Sequence, residues 1–445
     1  MLDAARELSA TGPVCDACLG RPFADRSHGL TNAERGRALR VAVAMADDVP
    51  FEVPAEECWV CEGLCAAFDD WADRVVAALE GLRFETYQVG CRVPPLYEEN
   101  ERLLREEAGL DPDAGEALKS ELNREVGKRV GERTGTTVDF ERPDVLALLN
   151  LERGDVDVQV NPAFVYGRYR KLARGIPQTE WPCNDCGGTG KQMGSDGAPE
   201  PCPGCDGTGY RYDESVEGFV APHVREAMDG ADAVFHGAGR EDVDAKMLGT
   251  GRPFVVEVKR PRDRFPDVAA LEATINGATE KVAVTGLRLA THEMVERVKE
   301  LDADKTYRAE VTFDAPVAAA DLRAAADELS GTTIEQRTPH RVSHRRADKV
   351  RERRVYEVRT ERVDDTHATV EVRAAGGTYV KELVSGDEGR TDPSLAGLLG
   401  VGAEVTALDV VAVEGVDEPF EAEAYVRDAP DEERATGDGA APSSE

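Results

Sequence analysis

Apolar positions along the chain follow two periods. Leu118, Leu122, Val126 and Val130 recur every four residues, and Trp71, Val75, Val76 and Leu79 mark one face, so both stretches predict amphipathic helices. Thr31-Asn-Ala-Glu34 has the capping-box pattern and predicts a helix through about Met45. Leu82 to Val93, Val145 to Leu149 and Val156 to Val160 read as short strands. Thr306 to Phe313 alternates apolar and polar, as a half-buried strand does, while Ala269 to Leu289 is mixed. The pattern predicts an α+β chain.

One stretch breaks the periodicity in an informative way. Ala233-Val234-Phe235 leads into Gly237-Ala-Gly239, and Val255 to Val258 reads as a strand leaving. Between them lie Arg240, Glu241, Asp242 and Asp244. Glycines there permit a tight backbone path. Charged residues on such a turn suggest a displayed carboxylate; a polar loop between two strands is the plain alternative.

Composition changes the picture mainly through charge. The 445 residues, enough for two or three domains, carry 87 Asp+Glu against 54 Lys+Arg, a net charge of −33. Hydrophobic residues make up 41 %, too many for a disordered chain. The acids are spread over nearly every segment, which suits a folded protein adapted to molar salt, where the Debye length is only ~3 Å. Binding to RNA would then rest on local contacts and stacking. No export signal and no apolar run of ~18 residues is present, so a cytoplasmic protein without a membrane span is expected.

Cysteine spacing adds chemistry. Cys15 and Cys18 form one Cys-x-x-Cys pair, and Cys58 and Cys61 another; together they supply the four thiolates of a closed zinc site. Cys65 and Cys91 read as ordinary small apolar residues. Cys183-Asn-Asp-Cys186-Gly-Gly-Thr-Gly is echoed by Cys202-Pro-Gly-Cys205-Asp-Gly-Thr-Gly, which predicts two zinc knuckles meeting on one ion. This insert is similar to the zinc module of Hsp40 chaperones, without their J-domain signature. Gly188-Thr-Gly-Lys191 mimics a phosphate loop but lacks its leading glycine and its Ser or Thr. The expected organisation is a zinc-binding region over 1–68, an RNA-binding unit over 69–175, the zinc insert over 176–213, a catalytic region over 214–428, and a disordered acidic tail over 429–445.

Two stretches suit RNA. Phe164 to Lys171 interleaves aromatics with Arg168, Arg170 and Lys171. Arg337 to Arg354 is rich in cations within an acidic protein, and Arg345, Arg346, Arg351, Arg353 and Arg354 are candidate backbone contacts. Solvated charged strands are the alternative in both cases.

Gly239-Arg240-Glu241-Asp242 resembles the Gly-Arg-x-Asp motif of pseudouridine synthases. The longer run through Met247-Leu-Gly-x-Gly-Arg-Pro-Phe254 resembles that of the Pus-ten tRNA pseudouridine synthases, as does Gly377-Thr-Tyr-Val-Lys-Glu382, with Val380 in place of isoleucine. Asn161-Pro-x-Phe-Val-Tyr-Gly-Arg-Tyr-Arg170 and the order of elements before it resemble the THUMP domain of that family. The resemblance implies a mixed antiparallel-sheet catalytic domain joined to a zinc-containing THUMP domain. It implies tRNA as substrate, at positions 54 and 55 of the TΨC loop, and Asp242 as the catalytic carboxylate. Tyr307 would stack under the target base, Tyr379 would line the pocket, Lys381 would sit beside Asp242, and Arg240 would orient the strands or the RNA. Asp244 is expected to be structural. Zinc would be structural, no redox cofactor would be needed, and a monomer is expected. Two other classes stay open: a THUMP enzyme transferring methyl or sulfur, and a zinc-dependent RNA or protein chaperone.

Overall fold

The computed structural model describes residues 1–54, 57–194, 197–342, 347–414, 420, 422 and 424–430. Arg345, Arg346 and the expected tail after residue 430 lie outside the described residues. The chain forms two units, Met1–Pro162 with Arg260–Arg264, and Ala163–Lys259 with Phe265–Ala429.

In the first unit the capping box forms. Thr31 Oγ1 accepts from the Glu34 amide at 3.1 Å, and the Glu34 carboxylate accepts from the Thr31 amide at 2.7 Å. The helix it opens is Asn32–Asp47. Gly36 on it meets Gly20 of the short helix Asp16–Gly20, and a Cβ on either glycine would strike backbone of the other segment. Leu8, Leu19 and Val60 close a small core around the first cysteines. The second half of the unit is a four-stranded sheet in the order Thr137–Val138, Thr86–Arg92, Val145–Asn150, Asp155–Val160. The first two pairings are parallel and the last antiparallel. Leu118, Leu122, Val126 and Val130 of helix Leu118–Thr134 are fully buried, as their four-residue spacing predicts. Leu122, Val126 and Val130 join Trp71 and Val75 of helix Phe68–Ala78 over the inward-facing Val145, Ala147 and Leu149, while Leu118 packs into the core around the first cysteines. Each such fully buried aliphatic side chain contributes roughly 1.5–3 kcal/mol.

The second unit is built on a ten-stranded sheet. Its order runs Val282–Ala290, Ala163–Lys171, Lys246–Lys259, Ala403–Val413, Lys305–Phe313, His367–Ala374, Val350–Arg362, Thr333–Arg337, Thr391–Asp392, with Asp232–Gly237 paired to Lys246–Lys259. The pairing of Lys246–Lys259 with Ala403–Val413 is parallel and short; the other pairings are antiparallel. Gly249 sits at that junction with φ +58°, where a Cβ would collide with the Val411 carbonyl. Two apolar cores flank the junction, and Tyr307 packs against both.

Here the structure corrects one sequence expectation. Ala163–Lys171 does not belong with the preceding RNA-binding unit. It is a strand of the large sheet, with Phe164 opposite Glu257 and Tyr166 opposite Val255. Its alternation announced a strand but not its partners, which lie far along the chain.

Candidate active site

Asp242 sits in the tight turn between strands Asp232–Gly237 and Lys246–Lys259. The turn is closed by the Ala245 amide donating to the Asp242 carbonyl at 3.0 Å, and by the Ala238 amide donating to Pro253 at 3.0 Å. Gly239 takes φ +70° within it. The two strands form an antiparallel hairpin, so Gly237-Ala-Gly239 is not the cofactor turn of a parallel strand-helix-strand crossover.

Two cations face the Asp242 carboxylate, whose side chain is 42 % exposed. Arg341 Nη1 is 3.4 Å from Oδ2, and Lys381 Nζ is 3.5 Å from the same oxygen. Lys381 also reaches Asp244 Oδ2 at 3.1 Å. Burial acts to raise the Asp244 carboxyl, yet the hydrogen bond and charge of Lys381 hold it below its ordinary value. Asp244 is thus the outer anchor of Lys381, in keeping with a structural part.

Lys381 lies on helix Val380–Ser385, whose next residue, Glu382, is buried and accepts from Arg341 Nε at 2.6 Å. Burial works against the Arg341 charge, but Glu382 and then Asp242 more than compensate. Arg341 also approaches the Tyr379 ring, 5.9 Å from its centroid. Gln336 ties Tyr379 down through both backbone groups: its Oε1 accepts from the Tyr379 amide at 2.7 Å and its Nε2 donates to the carbonyl at 2.9 Å. Tyr307, half-buried on strand Lys305–Phe313, completes the site. Burial raises its phenol above the ordinary tyrosine range, Arg252 opposes the rise, and Asp242 adds to it. Arg341 and Glu382 were not singled out from the sequence. The available signal was that Arg341 falls in the basic run and that Glu382 follows the lysine of the Gly-Thr-Tyr motif.

The proposed RNA-contacting residues separate. Arg240 and Arg354 are exposed, and Arg351 and Arg353 are half-buried on Val350–Arg362, Arg351 donating to Thr338 Oγ1 at 3.1 Å. Arg168 and Arg170 are half-buried on their strand. Lys171 is 0 % exposed and its ammonium donates inward, so it is not available to a phosphate. The sequence pattern groups it with Arg168 and Arg170 as one set of cations; the two-residue period of the strand turns it to the face opposite Arg170, where it is buried.

The thiols gather in two clusters. Cys183, Cys186, Cys202 and Cys205 have their Sγ atoms all within 4.8 Å of one another. The near-repeat becomes a near-symmetry. The Gly190 amide donates to Cys186 Sγ at 3.3 Å and the Gly209 amide to Cys205 Sγ at 3.2 Å. Likewise the Cys183 amide donates to Gly209 and the Cys202 amide to Gly190. Four converging thiols with amide donors to sulfur fit a tetrahedral thiolate-bound metal. In the first unit, Cys15, Cys18, Cys61 and Cys65 make the corresponding group. Cys65 is therefore not an ordinary apolar residue. Glu62 and Gly63 both take positive φ, and the turn Leu64–Ala66 carries Cys65 back toward the cluster. The buried Arg21 donates to Cys65 Sγ at 3.0 Å and to Cys18 Sγ at 3.4 Å. Cys58, also buried, neighbours Cys15, Cys18 and Cys61 without being one of the four. Cys91 lies apart, in the core of the four-stranded sheet. No helix among the described residues is long and apolar enough to cross a membrane.

Comparison with known proteins follows the two units. Residues 164–414 match the family model described as Pus10, C-terminal, and residues 71–150 match the one described as Pus10 THUMP domain, archaeal. The tRNA pseudouridine synthase Pus10 of Halorubrum lacusprofundi is 63 % identical over 430 residues, covering 96 % of this chain and 100 % of that protein. The protein of the same name from Methanothrix thermoacetophila is 43 % identical over 443 residues, covering 94 % of this chain and 95 % of its own. That of Methanopyrus kandleri is 41 % identical over 443 residues, covering 92 % and 98 %.

Proposed function

Because this chain belongs to the Pus10 family of tRNA pseudouridine synthases, we propose that Asp242 is its catalytic carboxylate and that its targets are uridines 54 and 55 of the tRNA TΨC loop. The observation that carries the reading is the pairing of the Asp242 carboxylate with Arg341 and Lys381, in a site that stays partly open and has Tyr307 beside it.

The reaction is an isomerisation. The bond from C1′ to N1 of uracil breaks, the base turns within the site, C1′ bonds to C5, the C5 proton leaves and N1 takes up a proton. The sugar needs a carboxylate, and two cations sit on one of its oxygens. Asp242 acts on C1′ as nucleophile or on a neighbouring sugar proton as base. The target nucleotide leaves its stack to enter the site, and Tyr307 offers a face for the detached base. Gln336 holds Tyr379 so that its ring lines the same space.

The metal clusters serve folding and RNA docking. Zinc is the ion that four thiolates select best in this geometry. Cys183, Cys186, Cys202 and Cys205 would hold one ion, and Cys15, Cys18 and Cys61, with Cys65 or Cys58, the other. Arg168, Arg170, Arg351, Arg353 and Arg354, with Arg345 and Arg346, would lie along the RNA backbone. The enzyme acts in the cytoplasm as a monomer on this reading.

The test is incubation of purified protein with unmodified tRNA transcript, without added cofactor, followed by nucleoside analysis and mapping of the modified positions. Pseudouridine at other positions alone would overturn the TΨC assignment. Full yield from Asp242→Asn would overturn the role of Asp242.

A further inference from the structure

The floor under the catalytic turn holds charges that the reaction as described does not use. Lys171 Nζ spends its three donors on backbone carbonyls: Ile176 at 2.9 Å, Asp242 at 3.0 Å and Val243 at 3.2 Å. Glu241, whose side chain is 1 % exposed, forms an ion pair with Arg252 at 2.9 Å, accepts from the Tyr169 hydroxyl at 2.8 Å, and lies 3.7 Å from Lys171. Arg252 is 1 % exposed and donates through Nη1 to the Ala238 carbonyl at 2.8 Å. Gln178 donates to both the Tyr169 hydroxyl and the Gly239 carbonyl at 2.8 Å. Positions 238, 239, 241, 242 and 243 of the turn are thus each tied from below.

Stability alone gives no reason for this arrangement. Burying charge carries a large desolvation cost, and a well-packed apolar floor would serve folding as well or better. What the charged floor adds is a fixed backbone position for Asp242, held by charge-assisted hydrogen bonds to the carbonyls of 242 and 243.

We propose that Lys171, with the Glu241–Arg252 pair, is a positioning group for the reaction: it fixes the peptide of Asp242 and so the direction in which its carboxylate enters the site. The inference rests on the reading of Asp242 as the reactive carboxylate. Burial lowers the Lys171 ammonium from its ordinary range while Glu241 supports it, and the three accepted hydrogen bonds require the charged form. The other groups that bear on Asp242 are Lys381, Arg341, Asp244, Glu382 and Tyr307, and they are unaltered in the variants below.

The experiment uses the full chain and unmodified tRNA transcript in single turnover across pH, with tRNA affinity and thermal unfolding measured in parallel. Lys171→Met is expected to slow the chemical step about 100-fold, as a displaced reacting group does. Its tRNA affinity should stay unchanged, so the loss falls on the single-turnover rate and not on binding. Glu241→Gln keeps the shape and removes the anion that pairs with Arg252 and faces Lys171, so it should slow the same step with affinity unchanged. A role confined to stability would lower the unfolding temperature and leave the single-turnover rate of folded protein as it is. If Lys171→Met does not fold, Glu241→Gln decides alone. A wild-type single-turnover rate in folded Glu241→Gln, or in folded Lys171→Met, overturns the proposal. Asp242→Asn run beside them separates the two readings: if it is inactive while these variants behave as wild type, only the positioning role falls; if it is active, the reading of Asp242 falls first.

Discussion

Arg341 brings Nη1 to 3.4 Å from Asp242 Oδ2 while its Nε is anchored on Glu382 at 2.6 Å. The guanidinium therefore bridges the turn that carries Asp242 and the helix that carries Lys381. Arg341 is 39 % exposed, so its pairing with Asp242 contributes modestly, about 1 kcal/mol at most. Arg341→Gln should slow the single-turnover step on the order of fivefold, with tRNA affinity little changed. An unaltered rate would remove Arg341 from the site.

Asp242→Asn keeps the size of the side chain and much of its hydrogen bonding while removing the anion. It should abolish pseudouridine formation with tRNA binding nearly intact. Asp244→Asn should retain activity, since Asp244 only anchors Lys381 from outside. Nucleoside analysis of both variants in single turnover gives the comparison, and an inactive Asp244→Asn beside an active Asp242→Asn would reverse the assignment.

Tyr307 is expected to work through its ring. Burial raises its phenol above the ordinary tyrosine range, which favours the neutral hydroxyl. Tyr307→Phe should keep part of the rate, whereas Tyr307→Ala should lose most of it, since base stacking contributes roughly 1–3 kcal/mol. Equal rates from the two variants would count against stacking.

The five clustered thiols of the first unit, Cys15, Cys18, Cys58, Cys61 and Cys65, invite a direct measurement. Freshly purified protein should carry two zinc ions per chain by elemental analysis. Cys65→Ser should lower the content toward one, and Cys58→Ser should leave it near two, if the group seen in the structure is the ligand set. The reverse outcome would return Cys58 to the site. Cys202→Ser should affect folding and tRNA docking more than the chemical step.

Reversing the charges of Arg351, Arg353 and Arg354 together should weaken tRNA binding and flatten its salt dependence with the fold intact. A filter-binding series over salt concentration measures both. Unchanged affinity at working salt would leave these arginines as solvated strand residues.

Local signals were legible wherever the chemistry is local. Thr31-Asn-Ala-Glu34 is a helix start because the two partners lie within one turn. Cys183 and Cys186, and Cys202 and Cys205, pair because a knuckle spans four residues, and the glycines that follow supply the amides. Leu118 to Val130 showed its buried face through spacing alone. Asp242 stood out because the glycines and charges of its turn are contiguous. Cys65 did not, because only the positive-φ turn at Glu62 and Gly63 brings it back to the cluster.

Spacing along the chain alone marked several helix faces and strands, the thiol pairs, and the charged turn that carries Asp242. Tertiary structure alone decided the neighbours. Ala163–Lys171 joined the large sheet because its partners, Lys246–Lys259 and Val282–Ala290, lie far along the chain, and alternation specifies a face without naming what covers it. The same holds for Lys171 and Arg341. A cation read in isolation belongs in water, since burying it unpaired is prohibitive. Only the fold brings three carbonyls to Lys171, and Glu382 and Asp242 to Arg341, and so turns two apparent surface charges into parts of the site.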